Sequence, residues 1–142
     1  MQKALFAGIT GMGIVVGSAA LSDGLTLHID TVQATGTVRA AIFETAARFE
    51  ANQPLKGVSV PAEAGGTTLM FPMLSAGNYG IALYHDLNGN EALDRNLLGA
   101  PREPFGFSNN PKIGFSAPDF TAFEFSFDGN SAEFDIKLNG NP

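Results

Sequence analysis

The chain has 142 residues, no cysteine, and a formal net charge of −6 from 8 Lys and Arg against 14 Asp and Glu. Without cysteine there is no disulfide framework, thiolate metal site, cysteine nucleophile or lipidated cysteine anchor. Arg39, Arg48, Lys56, Arg95, Arg102, Lys112 and Lys137 stand singly, so the basic cluster that displaces counterions from nucleic-acid phosphates, or that binds an anionic membrane surface, is missing.

The first twenty residues, MQKALFAGITGMGIVVGSAA, carry one cation, Lys3, and an uncharged run from Ala4 to Val16. Gly17, Ser18, Ala19 and Ala20 follow, the small-residue pattern of an export signal cleaved after Ala19 or Ala20. The run is shorter than the roughly 20 apolar residues of a spanning helix, and Thr10 and several glycines interrupt it. The expectation is therefore a signal at residues 1–20 and a mature domain at 21–142. That domain would be exported to a periplasmic or extracellular space, with no transmembrane segment in its mature form. At about 120 residues it fits one domain, burying roughly two-thirds of its unfolded surface.

In LTLHID, Leu25, Leu27 and Ile29 alternate with Thr26, His28 and Asp30, the period of a half-buried strand, with His28 on the solvent side. GTVRAAIFE follows the Gly36 turn; Val38, Ala40 and Ile42 share a face, although Phe43 falls on the other. TAARFEANQP breaks the alternation and predicts a short helical turn or loop ending near Pro54. KGVSV and TTLMF are short strands, and Pro72 predicts that the second stops near Phe71 or lies at a sheet edge. NYGIALYHD places Tyr79, Ile81, Leu83 and His85 on one parity. AFEFSFD and SAEFDIKL then alternate across Asp128-Gly129-Asn130, a hairpin signal with Phe123, Phe125 and Phe127 facing one way. About seven short strands without a long helix predict an all-β fold: a single antiparallel β-sandwich with one long ordered loop, an eight-stranded barrel being the alternative.

That loop, from Asp86 to Phe120, is too long to be structureless in a compact domain. Phe105, Phe107, Phe115 and Phe120 predict that it folds, either over a satellite core or as an exposed contact patch. Its opening places Asp86, Asn88, Asn90 and Asp94 at positions 1, 3, 5 and 9 of a calcium-type loop. The backbone carbonyl of Ala92 stands at position 7, because a hard cation needs six to eight converging oxygens. Position 6 is Glu91 rather than glycine and position 12 is Leu97 rather than glutamate. The alternative is a metal-free turn, since Asn88-Gly89 and the Asp and Asn side chains organise turns through the backbone. His85, Phe105, Phe107, Asn109 and Asn110 are the candidate loop contacts for a partner.

His85-Asp86, Asn88, Asn90, Leu93-Asp94, Gly99, Pro101, Glu103 and Gly106-Phe107-Ser108-Asn109-Asn110 together resemble the bacterial exported family known as domain of unknown function 2141. The resemblance runs from LTLHID through GTVRAAIFE and SAPDF to the last two strands, and is most specific at HDLNGN and GFSNN. This chain departs from the family pattern at Glu91 and Pro104, where glycine is common. The resemblance implies an exported transthyretin-like or prealbumin-like β-sandwich and supplies no catalytic residues.

Three functional classes remain. One is a small binding or accessory module, with calcium as its candidate cofactor. The second is a structural envelope protein that meets a protein or carbohydrate partner through a sheet edge or the loop. The third is a hydrolase built on Asp86, Glu91, Asp94 and Glu103, for which no nucleophile elbow is present and His85 would be the general base, the alternative for His85 being a rim residue ordering the start of the loop.

Overall fold

The computed structural model describes residues 24–31, 33–93, 95, 101–114 and 116–139. The expected export signal at residues 1–20, and with it Asp94, Leu97, Gly99 and Phe115, lie outside the described residues. Among the described residues no helix is long and apolar enough to cross a membrane.

Among the described residues eight strands and two short helices follow in the order β1 (Gly24–Ile29), β2 (Thr37–Phe43), α1 (Ala46–Glu50), β3 (Lys56–Pro61), β4 (Thr67–Pro72), β5 (Gly77–Asp86), β6 (Phe105–Phe107), α2 (Phe120–Phe123), β7 (Glu124–Phe127) and β8 (Ser131–Ile136). The strand that alternation missed is β6, inside the long loop. It is only three residues long, and all three are buried, so it has no period to read. The helix α1 starts where Thr45 caps it, its hydroxyl accepting from the Arg48 N–H at 3.1 Å.

The strands form two sheets. One has the order β4-β1-β8; the other runs β3-β2-β5, with β6 and β7 both pairing onto β5. All pairings are antiparallel except β1 with β8, which run parallel over six matched residues from Gly24–Ser131 to Ile29–Ile136. This corrects two expectations: the first sheet is mixed, and the last two strands are not a hairpin. The turn chemistry at Asp128-Gly129-Asn130 is present, with Gly129 at φ 91° and the Asn130 N–H held by Asp128 Oδ1 at 2.9 Å. The turn carries the chain from one sheet to the other, because β7 adds to β5 while β8 adds to β1. Pro72 closes β4, which lies at a sheet edge as its missing N–H requires.

Two hydrophobic clusters lie on opposite faces of the five-stranded sheet. The inner one draws on both sheets, with Leu25, Leu27 and Ile29 meeting Val38, Ala40, Ile42, Ile81 and Leu83. Each such side chain, fully buried, stabilises by roughly 1.5–3 kcal/mol. The outer cluster comprises Ala41, Phe43, Ala82 and Tyr84 from β2 and β5 and Phe105 and Phe107 from β6, with Phe49, Leu93, Phe120 and Phe123 packed over them. The loop phenylalanines among the described residues therefore fill a second core. Phe123 belongs to it rather than to the face of Phe125, which packs on the inner cluster, because α2 shifts the phase before β7 begins. Gly80 makes the outer packing feasible: a Cβ there would stand 2.7 Å from Phe120 and 2.8 Å from Phe123.

Candidate functional site

Strand β5 ends in His85 and Asp86, and β2 runs beside it with Thr37 opposite Asp86 and Arg39 opposite Tyr84. Side chains alternate across a strand, so Arg39, Tyr84 and Asp86 share the outer face with Ala41 and Ala82. They form the polar end of that face.

Asp86 is fully buried. Its Oδ2 accepts from Arg39 Nε at 2.7 Å and from the Glu91 N–H at 2.8 Å, and its Oδ1 accepts from the Gly89 N–H at 3.0 Å. The guanidinium continues to Ser59 Oγ at 3.3 Å. Two backbone donors and an arginine leave the carboxylate well satisfied, which a buried charge requires. The same carboxylate shapes the turn after it, where Gly89 has φ 74° and Glu91 has φ 63°. Asn88 Oδ1 accepts from the Asn90 N–H at 3.2 Å and Asn90 Oδ1 from the Ala92 N–H at 3.1 Å.

The neighbouring polar groups tie this turn to the rest of the described long loop, which forms a strap over the outer face. Glu103, also buried, accepts the Leu87 N–H at 2.8 Å, and the Pro104 carbonyl accepts the His85 N–H. His85 Nε2 lies 2.6 Å from the Thr35 carbonyl, so that nitrogen carries the proton. Gly36 sits where a Cβ would press on the Asp86 carbonyl at 2.3 Å, with φ 82°; only glycine fits there. The Tyr84 hydroxyl faces the same group of charges. Burial pushes its pKa far above the usual tyrosine value, Asp86 raises it further, and Arg39 opposes the shift.

The GFSNN stretch anchors the other end. Gly106 lets the backbone pass β8 closely, since a Cβ would meet Ile136 and the Lys137 carbonyl at 2.8 Å. Ser108 is fully buried; its hydroxyl accepts the Ile81 N–H at 3.0 Å and donates to the Phe123 carbonyl at 2.6 Å. Asn109 and Asn110 adopt positive φ, 65° and 45°. Asn109 Nδ2 donates to the Glu124 carbonyl, while the Asn110 amide donates to the Asp135 carbonyl at 3.0 Å and accepts the Lys137 N–H at 2.8 Å. The Asn110 side chain thus stands in for a peptide group at the edge of β8.

The structure brings Asp86, Asn88, Asn90 and Ala92 into one turn, while Asp94 is outside the described residues. Among the described residues no group of three or more His, Asp or Glu side chains converges as a metal centre. Of the expected loop contacts, His85, Phe105 and Phe107 are buried and Asn109 and Asn110 exposed. The satellite core encloses Phe105 and Phe107, and His85 lies inside the fold with its ring on the Thr35 carbonyl. Sequence reasoning missed Arg39, Ser59 and Ser108 as parts of the site. Arg39 left a signal, a charge in the middle of the mostly apolar TVRAAIF, and Ser108 left one in standing within GFSNN.

A family model described as "Uncharacterized protein conserved in bacteria (DUF2141)" matches residues 28–135. No curated protein and no solved structure matches the chain.

Proposed function

The chain belongs to the family of uncharacterized proteins conserved in bacteria, DUF2141, and on that premise we propose that it is a small exported binding or accessory module without catalytic machinery. One observation carries this reading: the motif side chains able to do chemistry are engaged in holding the strap. Asp86 is taken by Arg39, Gly89 and Glu91, His85 by Thr35, Glu103 by Leu87 and Ser108 by Ile81 and Phe123. A catalytic acid, base or nucleophile must instead reach a substrate. The alternation of the two sheets around a shared core supports the sandwich as the scaffold.

The test has two arms. Protein recovered from the producing cell should begin at Ala20 or Leu21 by intact mass and should cosediment with envelope material. A screen of glycosidic, ester and amide substrates should show no turnover. Turnover that disappears in Asp86→Asn while the variant stays folded would replace this reading with the hydrolase, and a product retaining Met1 would end the export reading.

A second reading, calcium in the turn, is favoured by the coil of Asp86, Asn88 and Asn90, each oxygen accepting an N–H further along, and by Glu91 adopting the φ that usually calls for glycine. In this reading Asp94 and the Ala92 carbonyl complete the site. Arg39 already brings a positive charge to Asp86, which is why the metal-free turn is preferred. A calcium ion bound to the folded state alone raises stability by about 2.7 kcal/mol at a hundredfold excess over its dissociation constant. Equal melting temperatures in millimolar calcium and in chelator would dismiss it; a rise that Asp86→Ala abolishes would establish it.

A further inference from the structure

A cavity of about 490 Å³ opens on the solvent side of the three-stranded sheet, away from the Asp86 turn, where β1, β4 and β8 come together. Its volume lies within the roughly 300–1,000 Å³ of small-molecule sites. It is lined by His28 and Ile29 of β1 with Asp30 just past its end, by Thr67 and Thr68 of β4, and by Asp135 and Ile136 of β8 with Lys137 just past its end. Gly65 and Gly66 form the rim.

The walls are held more firmly than an exposed sheet surface requires. Thr31 and Thr67, both almost fully buried, join their hydroxyls at 2.6 Å. Thr31 Oγ1 also donates to the Glu63 carbonyl, and Thr67 Oγ1 accepts the Glu63 N–H at 2.9 Å. With the Gly65 N–H on the Thr31 carbonyl at 3.0 Å, the rim is locked to the end of β1. Asp30 Oδ1 accepts the Leu138 N–H at 2.8 Å, and Asn110, the last residue of GFSNN, holds Asp135 and Lys137 from behind. Gly65 and Gly66 have φ of 88° and 140°, and no atom lies within 4 Å of a Cβ at Gly65. The rim therefore stays low because its backbone excludes side chains.

The lining decides the ligand class. The lining holds two carboxylates, Asp30 and Asp135, and one cation, Lys137, and His28 Nε2 is 2.9 Å from Glu133 Oε1, a third carboxylate beside the cavity. Negative groups outnumber positive ones, so an anion is disfavoured. Among the described residues no Phe, Tyr or Trp lines the cavity, and the His28 ring is held by Glu133, so it has no large platform for stacking a sugar or a nucleobase. Three carboxylates do not converge on one point among the described residues, which argues against a bare divalent ion. We infer that the groove takes a small polar primary amine, its ammonium between Asp30 and Asp135 and its hydroxyl or amide end toward Thr68 and His28.

This assignment rests on the reading of the chain as a binding module and adds where and what it binds. Ethanolamine, acetate and calcium would each be titrated to millimolar concentration at constant ionic strength into ¹⁵N-labelled protein recovered from the producing cell. Ethanolamine should shift the amides of residues 28–31, 65–68 and 135–137 saturably. Asp135→Asn should weaken it about tenfold, about 1.4 kcal/mol, at unchanged melting temperature. Glu50→Gln, on α1 and outside the groove, should bind as the wild type does. No saturable shift, equal shifts with acetate or calcium, or full retention in Asp135→Asn would overturn the assignment. Envelope cosedimentation that survives such a result would leave the module standing and remove only the groove.

Discussion

The two faces of the five-stranded sheet are both dry, yet they are closed by different means. The inner face meets a second sheet, whose backbone groups are already paired in their own ladder, so apolar side chains suffice there. The outer face meets two short helices, α1 and α2, and irregular chain whose N–H and C=O groups have no ladder to satisfy them. There the packing of Phe49, Phe107, Phe120 and Phe123 is accompanied by Asp86, Glu103, Ser108, Asn109 and Asn110, all bonded to backbone. A loop can roof a sheet as a second sheet does, provided that side chains supply the missing partners.

This equivalence can be tested by mutation, beginning with the rings. Phe123→Ala on the outer side and Phe71→Ala on the inner side should each cost about 3–5 kcal/mol in urea unfolding. A loss near 1 kcal/mol for Phe123→Ala alone would make the strap a loose cover and not a core. Arg39→Met leaves the Asp86 carboxylate buried without its counter-charge and should cost about 3 kcal/mol. An unchanged denaturation midpoint would mean that the Gly89 and Glu91 N–H groups satisfy Asp86 unaided. Gly80→Ala drives a methyl into Phe120 and Phe123 and should cost about 1–3 kcal/mol; a neutral result would show that the strap yields easily.

The smallest effect appears only in alkali. The folded state holds the Tyr84 proton above the usual tyrosine range, whereas the unfolded chain releases it near pH 10. Folded protein then binds more protons, so stability is complete below about pH 10 and declines as pH rises beyond it. Tyr84→Phe should flatten that decline in urea titrations between neutral and alkaline pH, with a residue left by Tyr79, whose pKa burial also raises. An unaltered slope would mean that Tyr84 ionises as freely in the fold as out of it.

Where one face is wet, periodicity was readable. Leu25, Leu27 and Ile29 are buried and His28 and Asp30 exposed, as alternation predicts. Strand β5 is buried along eight successive residues, so parity located its inner face and left unexplained what covers Ala82 and Tyr84. The strap announced itself by length and by phenylalanines, but the bonds that fix it join residues 47, 16 and 15 apart in Arg39–Asp86, Leu87–Glu103 and Ser108–Phe123. No local pattern encodes such pairs. The same holds for the last turn: Asp128-Gly129-Asn130 specifies a change of direction and cannot specify which sheet receives the strand that follows.

The parallel seam between β1 and β8 joins the first and last described strands, so once the Phe105–Asn139 bridge has opened, a force pulling these two strands apart along the chain is delivered there. In parallel strands the outer ends of the pair point in opposite directions. Pulling therefore slides the strands along each other and loads all six matched residues from Gly24–Ser131 to Ile29–Ile136 together. An antiparallel pair held the same way would open one bond at a time. Single-molecule stretching from the termini should show one abrupt rupture at the seam; gradual low-force unzipping would contradict it. The strand crossover that defeated the hairpin expectation thus forms a mechanical clasp whose two halves are the first and last described strands.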